Sequence, residues 1–150
     1  MENKSNDQTA AQATHSNTGI RSLEPLIGTW QLGGDTSGTV QYQWLEGGFF
    51  ILQRVDMKLF GNHIVCLEVI GHMKPFGQEA DEQIRSKVYD NAGNTLDYVY
   101  ELEGNTLTIW GGEKGSPAFF RGTFNEAGDF NSGEWVYPGG GYKSTMQKIQ

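Results

Sequence analysis

The sequence predicts an all-β fold, a closed antiparallel up-and-down β-barrel of about ten strands with a short helical turn at its N-terminal end. Apolar and polar residues alternate with a period of two, as where Val40, Tyr42 and Trp44 are separated by Gln41 and Gln43. Glycine-containing turns recur at intervals of about 8–15 residues, which is typical of hairpins. The composition, with 21 Gly, 8 Phe, 6 Tyr and 4 Trp, suits short strands joined by tight turns.

The alternating segments and the turns between them define the predicted strands. They lie at residues 28–33, 38–46, 48–58, 62–72, 83–90, 95–102, 105–110, 117–124, 129–137 and 141–149, with a longer loop over 75–83. Short, hairpin-like connections favour one sheet that closes on itself, because closure removes unpaired edges. A two-sheet sandwich is the alternative, but it would need crossovers between its sheets.

The N-terminal region predicts a tail and then a plug for the barrel. Residues 1–19 are polar and predict a disordered tail, whereas residues 20–150 form one barrel domain. Residues 20–26 predict a helical turn over one barrel end, with Ser22 as its N-cap and Pro25 in its first turn. Residues 1–18 contain no apolar run, so we expect neither a signal peptide nor a membrane anchor there.

Charge and cysteine content limit the partners that we expect. The net charge of −7 is a poor match for phosphate backbones, so we expect no nucleic-acid and no membrane partner. Cys66 is the one cysteine, which excludes an internal disulfide and gives no sign of an oxidising compartment. No stretch approaches the ~18 apolar residues of a membrane helix. We therefore expect a cytoplasmic monomer or homodimer.

The first and last predicted strands carry a recognisable pair of features. Gly28-Thr29-Trp30 opens the first strand, and Lys148 lies on the last one. This combination resembles the calycin superfamily, which includes the lipocalins and the fatty-acid-binding proteins. The resemblance implies that Trp30 closes one end of the barrel and that Lys148, in place of the lipocalin arginine, lies across the indole.

A second resemblance extends over nearly all of residues 23–149. The chain is similar to the bacterial domain-of-unknown-function family 1579, which is regarded as lipocalin-like and has no general activity assigned. Family members often have Gly-Tyr-Asp where this chain has Gly71-His72-Met73. The segments that carry the resemblance are Leu26-Ile27-Gly28-Thr29-Trp30, Trp44-Leu45-Glu46-Gly47-Gly48-Phe49-Phe50, Glu68-Val69-Ile70-Gly71, Leu107-Thr108-Ile109-Trp110 and Tyr142-Lys143-Ser144-Thr145-Met146.

Metal and cofactor chemistry finds little support in the sequence. His63 and His72 are nine residues apart on one predicted strand, so their side chains point to opposite faces. No metal-ligand spacing is present, and we expect no metal and no cofactor. The haem-binding nitrobindins, which are calycin relatives, use a histidine near the C-terminus, but none follows His72 here. Cys66, between Val65 and Leu67, is predicted to be a small buried hydrophobe.

The candidate ligand-binding residues are aromatic side chains from several strands and three titratable side chains within or beside them. Inward-facing members would converge on one cavity, and because ten strands enclose a wide interior we expect a real cavity rather than a filled barrel. The residues are Tyr42, Trp44, Tyr98, Tyr100, Trp110, Trp135 and Tyr142, together with Glu68, His72 and Arg121.

The orientation of Glu68 decides between two chemical interpretations. An inward carboxyl would need a partner and would have a raised pKa suited to acid–base work. An outward one would form a surface salt bridge, and the alternation does not decide because both faces of its strand are apolar.

Three functions therefore stay open. The barrel could bind a small apolar or aromatic molecule. It could be an enzyme (an isomerase, cyclase or hydrolase) that uses Glu68, His72 or Arg121. It could also be a structural or interaction protein. A mostly apolar cavity favours binding, whereas a carboxylate beside a His or Tyr without a structural partner favours catalysis.

Overall fold

The ten predicted strands are present, and their ends lie within a few residues of the predicted ones. A computed structural model describes residues 19–150. The elements are a 3₁₀ helix, Ile20–Leu26 (the plug helix), and β1 Gly28–Gly34, β2 Thr36–Trp44, β3 Phe50–Leu59, β4 Asn62–Gly71, β5 Ile84–Asp90, β6 Thr95–Glu103, β7 Thr106–Gly111, β8 Phe119–Phe124, β9 Phe130–Tyr137 and β10 Gly140–Lys148.

Each strand pairs antiparallel with its neighbours in sequence, and β1 also pairs with β10. The closing pair runs from Trp30 opposite Lys148 to Gly34 opposite Ser144. The fold is therefore the predicted closed all-β barrel, and the two-sheet alternative is wrong. Closure gives each of the ten described strands two hydrogen-bonded neighbours, so none of them forms an exposed sheet edge.

The period-two pattern sorts side chains between the barrel interior and the outer face. On β3, Gln53, Val55 and Met57 line the interior, whereas Arg54 and Asp56 between them are exposed. A similar alternation is present on β2, β5 and β8. Which residues enclose the interior is thus fixed by the register of ten strand pairs.

The plug helix covers one end of the barrel with three buried apolar side chains, Ile20, Leu23 and Leu26. Its start differs from the prediction: Gly19 is the N-cap, and Ser22 lies inside the helix, where its backbone N–H and its hydroxyl both donate to the Gly19 carbonyl. The predicted tail over 1–19 lies outside the described residues except for this buried glycine. The plug helix has seven residues. No helix in the described part of the chain is long and apolar enough to cross a membrane.

Trp30 closes the barrel beside the plug, as the G-x-W motif implies. Its side chain is fully buried, and its indole N–H donates to the Leu26 carbonyl at 2.8 Å. The Lys148 ammonium lies 5.7 Å from the centre of the indole ring. Gly28 has a φ of +136°, and a Cβ there would come within 2.7 Å of the Lys148 side chain. The glycine therefore leaves room for the lysine to lie across the closed end.

Removal of Trp30 is expected to destabilise the barrel far more than removal of Lys148. Trp30→Ala should lower the free energy of unfolding by about 3–5 kcal/mol, as for a large core aromatic. Lys148→Ala should lower it by about 0.5–1 kcal/mol, the usual size of an exposed cation–π contact. Urea unfolding followed by tryptophan fluorescence and circular dichroism measures both values. Two small and equal effects would contradict the closing role of Trp30.

Candidate functional site

A cavity of about 290 Å³ occupies the barrel interior between the plugged end and the open end. Its wall is mostly apolar and aromatic. The side chains that line it are Leu32, Thr36, Val40, Tyr42, Gln53, Val55, Met57, Leu59, Ile64, Cys66, Glu68, Val88, Asp90, Leu96, Tyr98, Tyr100, Leu107, Ile109, Phe120, Trp135, Tyr142, Ser144 and Met146.

Four of the polar side chains of the cavity lie together toward its plugged end. Glu68 on β4 points inward and is buried, and the Tyr100 hydroxyl donates to its Oε2 at 2.7 Å. Gln53 is the register partner of Glu68 on β3 and donates through Nε2 to the Tyr42 hydroxyl at 2.8 Å. Since the Tyr42 oxygen accepts this bond, its own proton can still be donated. These four side chains form what we call the polar floor of the cavity.

Burial raises the pKa of Glu68 from its ordinary 4.5 to about 7. The hydroxyls of Ser86 and Tyr100 oppose this effect, because they stabilise the ionised carboxylate. The Ser86 hydroxyl is buried beside the carboxylate and has the larger of these two effects, although its hydrogen-bond geometry is poor. Glu68 therefore exchanges its proton near neutral pH.

The other titratable groups around Glu68 remain protonated at neutral pH. The pKa values of Tyr42, Tyr98 and Tyr100 all lie well above the ordinary value, first because they are buried and then because the Glu68 charge is near. The same two causes raise the pKa of the Cys66 thiol to about 12. The thiol is therefore a poor nucleophile, and the tyrosines serve as hydrogen-bond donors.

Aromatic side chains form the wall toward the open end. The rings of Tyr98 and Trp135 lie 5.6 Å apart, and Phe60 contacts Tyr142 edge to face at 5.8 Å. Asp90 lines the cavity at this end, in the β5–β6 turn. The Asn94 side chain and then the backbone N–H groups of the turn donate to its carboxylate and lower its pKa. The mouth is thus an aromatic collar that carries one carboxylate.

Six of the ten predicted ligand-binding residues line this cavity. They are Tyr42, Glu68, Tyr98, Tyr100, Trp135 and Tyr142. Trp44 instead packs beside the plug helix, where its indole N–H lies 3.4 Å from the Glu24 carboxylate and the Arg21 guanidinium lies 4.7 Å from its ring.

Trp110 and Arg121 lie on the outer face of the barrel. Trp110 alternates with the inward-facing Ile109, and Lys114 covers its ring at 5.7 Å. Arg121 is exposed and donates to the Thr108 hydroxyl on β7. The structure therefore brings neither side chain to the cavity.

His72 follows β4 and fastens the plug helix. The Ile20 backbone N–H donates to its Nε2 at 3.2 Å, and its Nδ1 lies 2.8 Å from the Asp81 carbonyl oxygen. The first contact requires an accepting Nε2 and the second a donating Nδ1, which assigns the neutral tautomer protonated on Nδ1. His72 is thus a structural link between the plug and the β4–β5 loop.

The sequence prediction missed several polar residues of the interior, among them Thr36 and Ser144 of the cavity wall. Gln53 and Asp90 line the cavity, and Ser86 lies beside Glu68. Gln53 shares its face with Ile51, Val55 and Met57, and this pattern could have placed it inside. Ser86 shares its face with Ile84 and Val88 and is flanked by Arg85 and Lys87, so the same pattern could have placed it inside.

No group of three or more metal-ligating side chains occurs within residues 19–150. His63 lies on the outer face and pairs with Asp56, with Nε2 and Oδ1 2.7 Å apart. The cavity carries two carboxyl groups and no histidine among its described lining residues.

No protein-family model matches this chain, and no curated protein is significantly similar to it. The resemblance to family 1579 therefore stays a prediction from the motifs. The closed barrel and its cavity carry the functional argument on their own.

The raised pKa of Glu68 should make stability depend on pH in one defined window. The pKa of Glu68 is higher in the folded than in the unfolded protein. The contribution of its protonated carboxyl to the free energy of unfolding is therefore fully present below pH 4.5 and is lost as the pH rises through about 7. The loss amounts to about 3 kcal/mol by pH 8.5. Glu68→Gln cannot ionise and should not show this loss. Between pH 4.5 and 8.5 the free energy of unfolding of the variant should therefore rise by the same amount relative to that of the native protein.

Urea unfolding at several pH values measures that difference. Glu134→Gln, at an exposed position on β9, makes the same chemical change and controls for the loss of one carboxylate. A difference between Glu68→Gln and the native chain that stays constant with pH would show that the Glu68 carboxyl ionises normally.

Proposed function

We propose that this protein binds a small apolar or aromatic molecule inside its barrel. The observation that carries the proposal is the cavity of about 290 Å³, with an apolar, aromatic wall and a few convergent polar groups at its floor. Ligand sites generally combine these two features, since the wall provides hydrophobic contact and the polar groups fix orientation.

The size of the cavity supports a small ligand. Pockets for drug-sized molecules measure roughly 300–1,000 Å³, so this one lies at the lower end of that range. A one- or two-ring molecule is therefore favoured over a long-chain lipid. The proposal includes the expected partner, a small molecule, and excludes nucleic acid and membrane. It also includes the expected cytoplasmic location and the monomeric or homodimeric state.

Filling the cavity should abolish binding while the barrel stays folded. Val88→Phe adds volume from the wall beside Glu68, because Val88 is the register partner of Glu68 on β5. We expect 2-(1-naphthyl)ethanol, a neutral aromatic probe, to bind the native protein one to one with a negative heat-capacity change in calorimetry. Val88→Phe should weaken binding at least tenfold.

Val65→Phe makes the same substitution at an exposed position of the outer face and is the matched control. It should bind as the native protein does. Equal affinity in all three proteins would place the probe outside the cavity and would contradict the proposal. Far-UV circular dichroism checks that each variant keeps the barrel.

An enzyme is the second candidate, and the carboxyl of Glu68 is the observation that favours it. A group with a pKa of about 7 inside a cavity is suited to general acid–base chemistry such as isomerisation, cyclisation or hydrolysis. Against this stands the hydrogen bond from Tyr100, which gives the carboxylate a structural partner, and His72 and Arg121 lie elsewhere.

Glu68→Gln separates the two candidates. A bound molecule that the native protein converts should be turned over at least a hundredfold more slowly by the variant, the usual order for a general acid or base. Mass spectrometry of molecules released from the purified native protein, before and after incubation, detects such conversion. A ligand that is bound and recovered unchanged by both proteins would exclude catalysis on it.

A further inference from the structure

The charged groups inside the barrel have one sign. Of the lining residues that the structure describes, Glu68 and Asp90 are acidic, and none is Lys, Arg or His. The basic residues of the neighbouring strands, such as Arg54 and Lys87, lie on the outer face, where Lys87 pairs with Asp97. Nothing described inside the cavity can therefore neutralise an anionic ligand.

The polar floor also has unused capacity to accept hydrogen bonds. Among residues 19–150, the Glu68 carboxylate accepts one well-formed hydrogen bond, from Tyr100 to Oε2. The Ser86 hydroxyl next to it is 2% exposed and does not line the cavity, so it leaves the remaining carboxylate lone pairs open to a ligand. The Glu68 carboxylate can therefore accept a further hydrogen bond from a ligand that donates one.

From this geometry, we propose that the ligand is a small aromatic amine whose protonated nitrogen is held by the Glu68 carboxylate at the polar floor. This inference rests on the proposed binding function and names its ligand class. The ring system occupies the aromatic wall, and the ammonium donates to Glu68. A charge-assisted hydrogen bond is roughly twice as strong as a neutral one. A carboxylic acid of the same shape is excluded because its charge meets Glu68.

The titratable groups that face Glu68 keep a constant charge near neutral pH, so the charge of Glu68 controls such binding. Tyr42 on β2, Cys66 on β4 and Tyr98 and Tyr100 on β6 all have a raised pKa and stay neutral below pH 9. Asp90 on β5 has a lowered pKa and stays ionised above pH 5. Between these limits Glu68, with its pKa of about 7, is the group of the described cavity wall that changes charge.

Three naphthyl probes of similar shape test the inference: 2-(1-naphthyl)ethylamine, 2-(1-naphthyl)ethanol and 3-(1-naphthyl)propionate. The amine is a cation and the acid an anion at both pH 5.5 and pH 8.5, as for the side chains of Lys and Glu. At pH 8.5 the amine should bind at least tenfold more tightly than the alcohol, and the acid at least tenfold more weakly.

At pH 5.5 only about 3% of Glu68 is ionised if its pKa is about 7, so the affinity for the amine should fall roughly 30-fold. The affinity for the alcohol should change less than threefold. Glu68→Gln should remove both the preference for the amine and its pH dependence, whereas Glu134→Gln on the outer face should keep both. The native pH titration tests the inference independently of whether the variant folds.

The outcomes separate this inference from the proposed function. If the three probes bind the cavity with similar affinity, or if the acid binds best, the amine assignment is overturned while ligand binding stands. If the amine preference survives in Glu68→Gln, another group recognises the nitrogen and the assignment to Glu68 fails. If none of the probes binds, both the inference and the proposed function are overturned.

Discussion

The pairing of β1 with β10 is the constraint on which the rest of the structure depends. It turns a ten-stranded sheet into a barrel, satisfies the outer backbone groups of both terminal strands and fixes which residue of every strand faces inward. A barrel of this size encloses more space than its side chains fill. The plug helix closes one end of that space, and the cavity is what remains.

Strand positions were predictable because the alternation and the glycine-rich turns are local signals. Strand β7 shows the limit of such local signals. Residues 107–110 are buried on both faces, so the sequence pattern there cannot tell inside from outside. Register places Leu107 and Ile109 in the cavity, whereas Trp110 lies outside beneath Lys114. An apolar side chain covered by a long polar one has the same sequence signature as a core residue.

The site was predictable only in part, for the same reason. Glu68 has apolar neighbours on both sides, and only the closed register puts it inside, opposite Gln53. His72 continues the inward alternation of β4 but comes after the end of the strand. There its Nε2 accepts a hydrogen bond from the plug helix and does not reach the cavity. Both outcomes depend on contacts between residues more than ten positions apart in the chain. Local pattern carries no information about such contacts.

The contrast between Glu68 and Gln53 is the most informative feature of the polar floor. The two residues are register partners on neighbouring strands, both inward-facing and both buried. Gln53 shows that the barrel accepts an amide at this level, with its hydrogen bond satisfied by Tyr42. The barrel itself does not require a carboxyl at the neighbouring position, because an amide of the same length would fill the space without an ionisation cost.

A buried carboxyl with a raised pKa lowers stability whenever it is ionised, since desolvation disfavours the charged form. That cost falls within the neutral range of pH, where the amide would avoid it. A positively charged group in the cavity would offset it, and the described wall provides none. Sites that bind or react commonly retain such local costs, because the group that is unfavourable in the empty protein is the one that a ligand satisfies. Under the proposed binding function, the carboxyl of Glu68 is explained by the ligand that it would hold, because it adds nothing to the stability of the barrel at neutral pH.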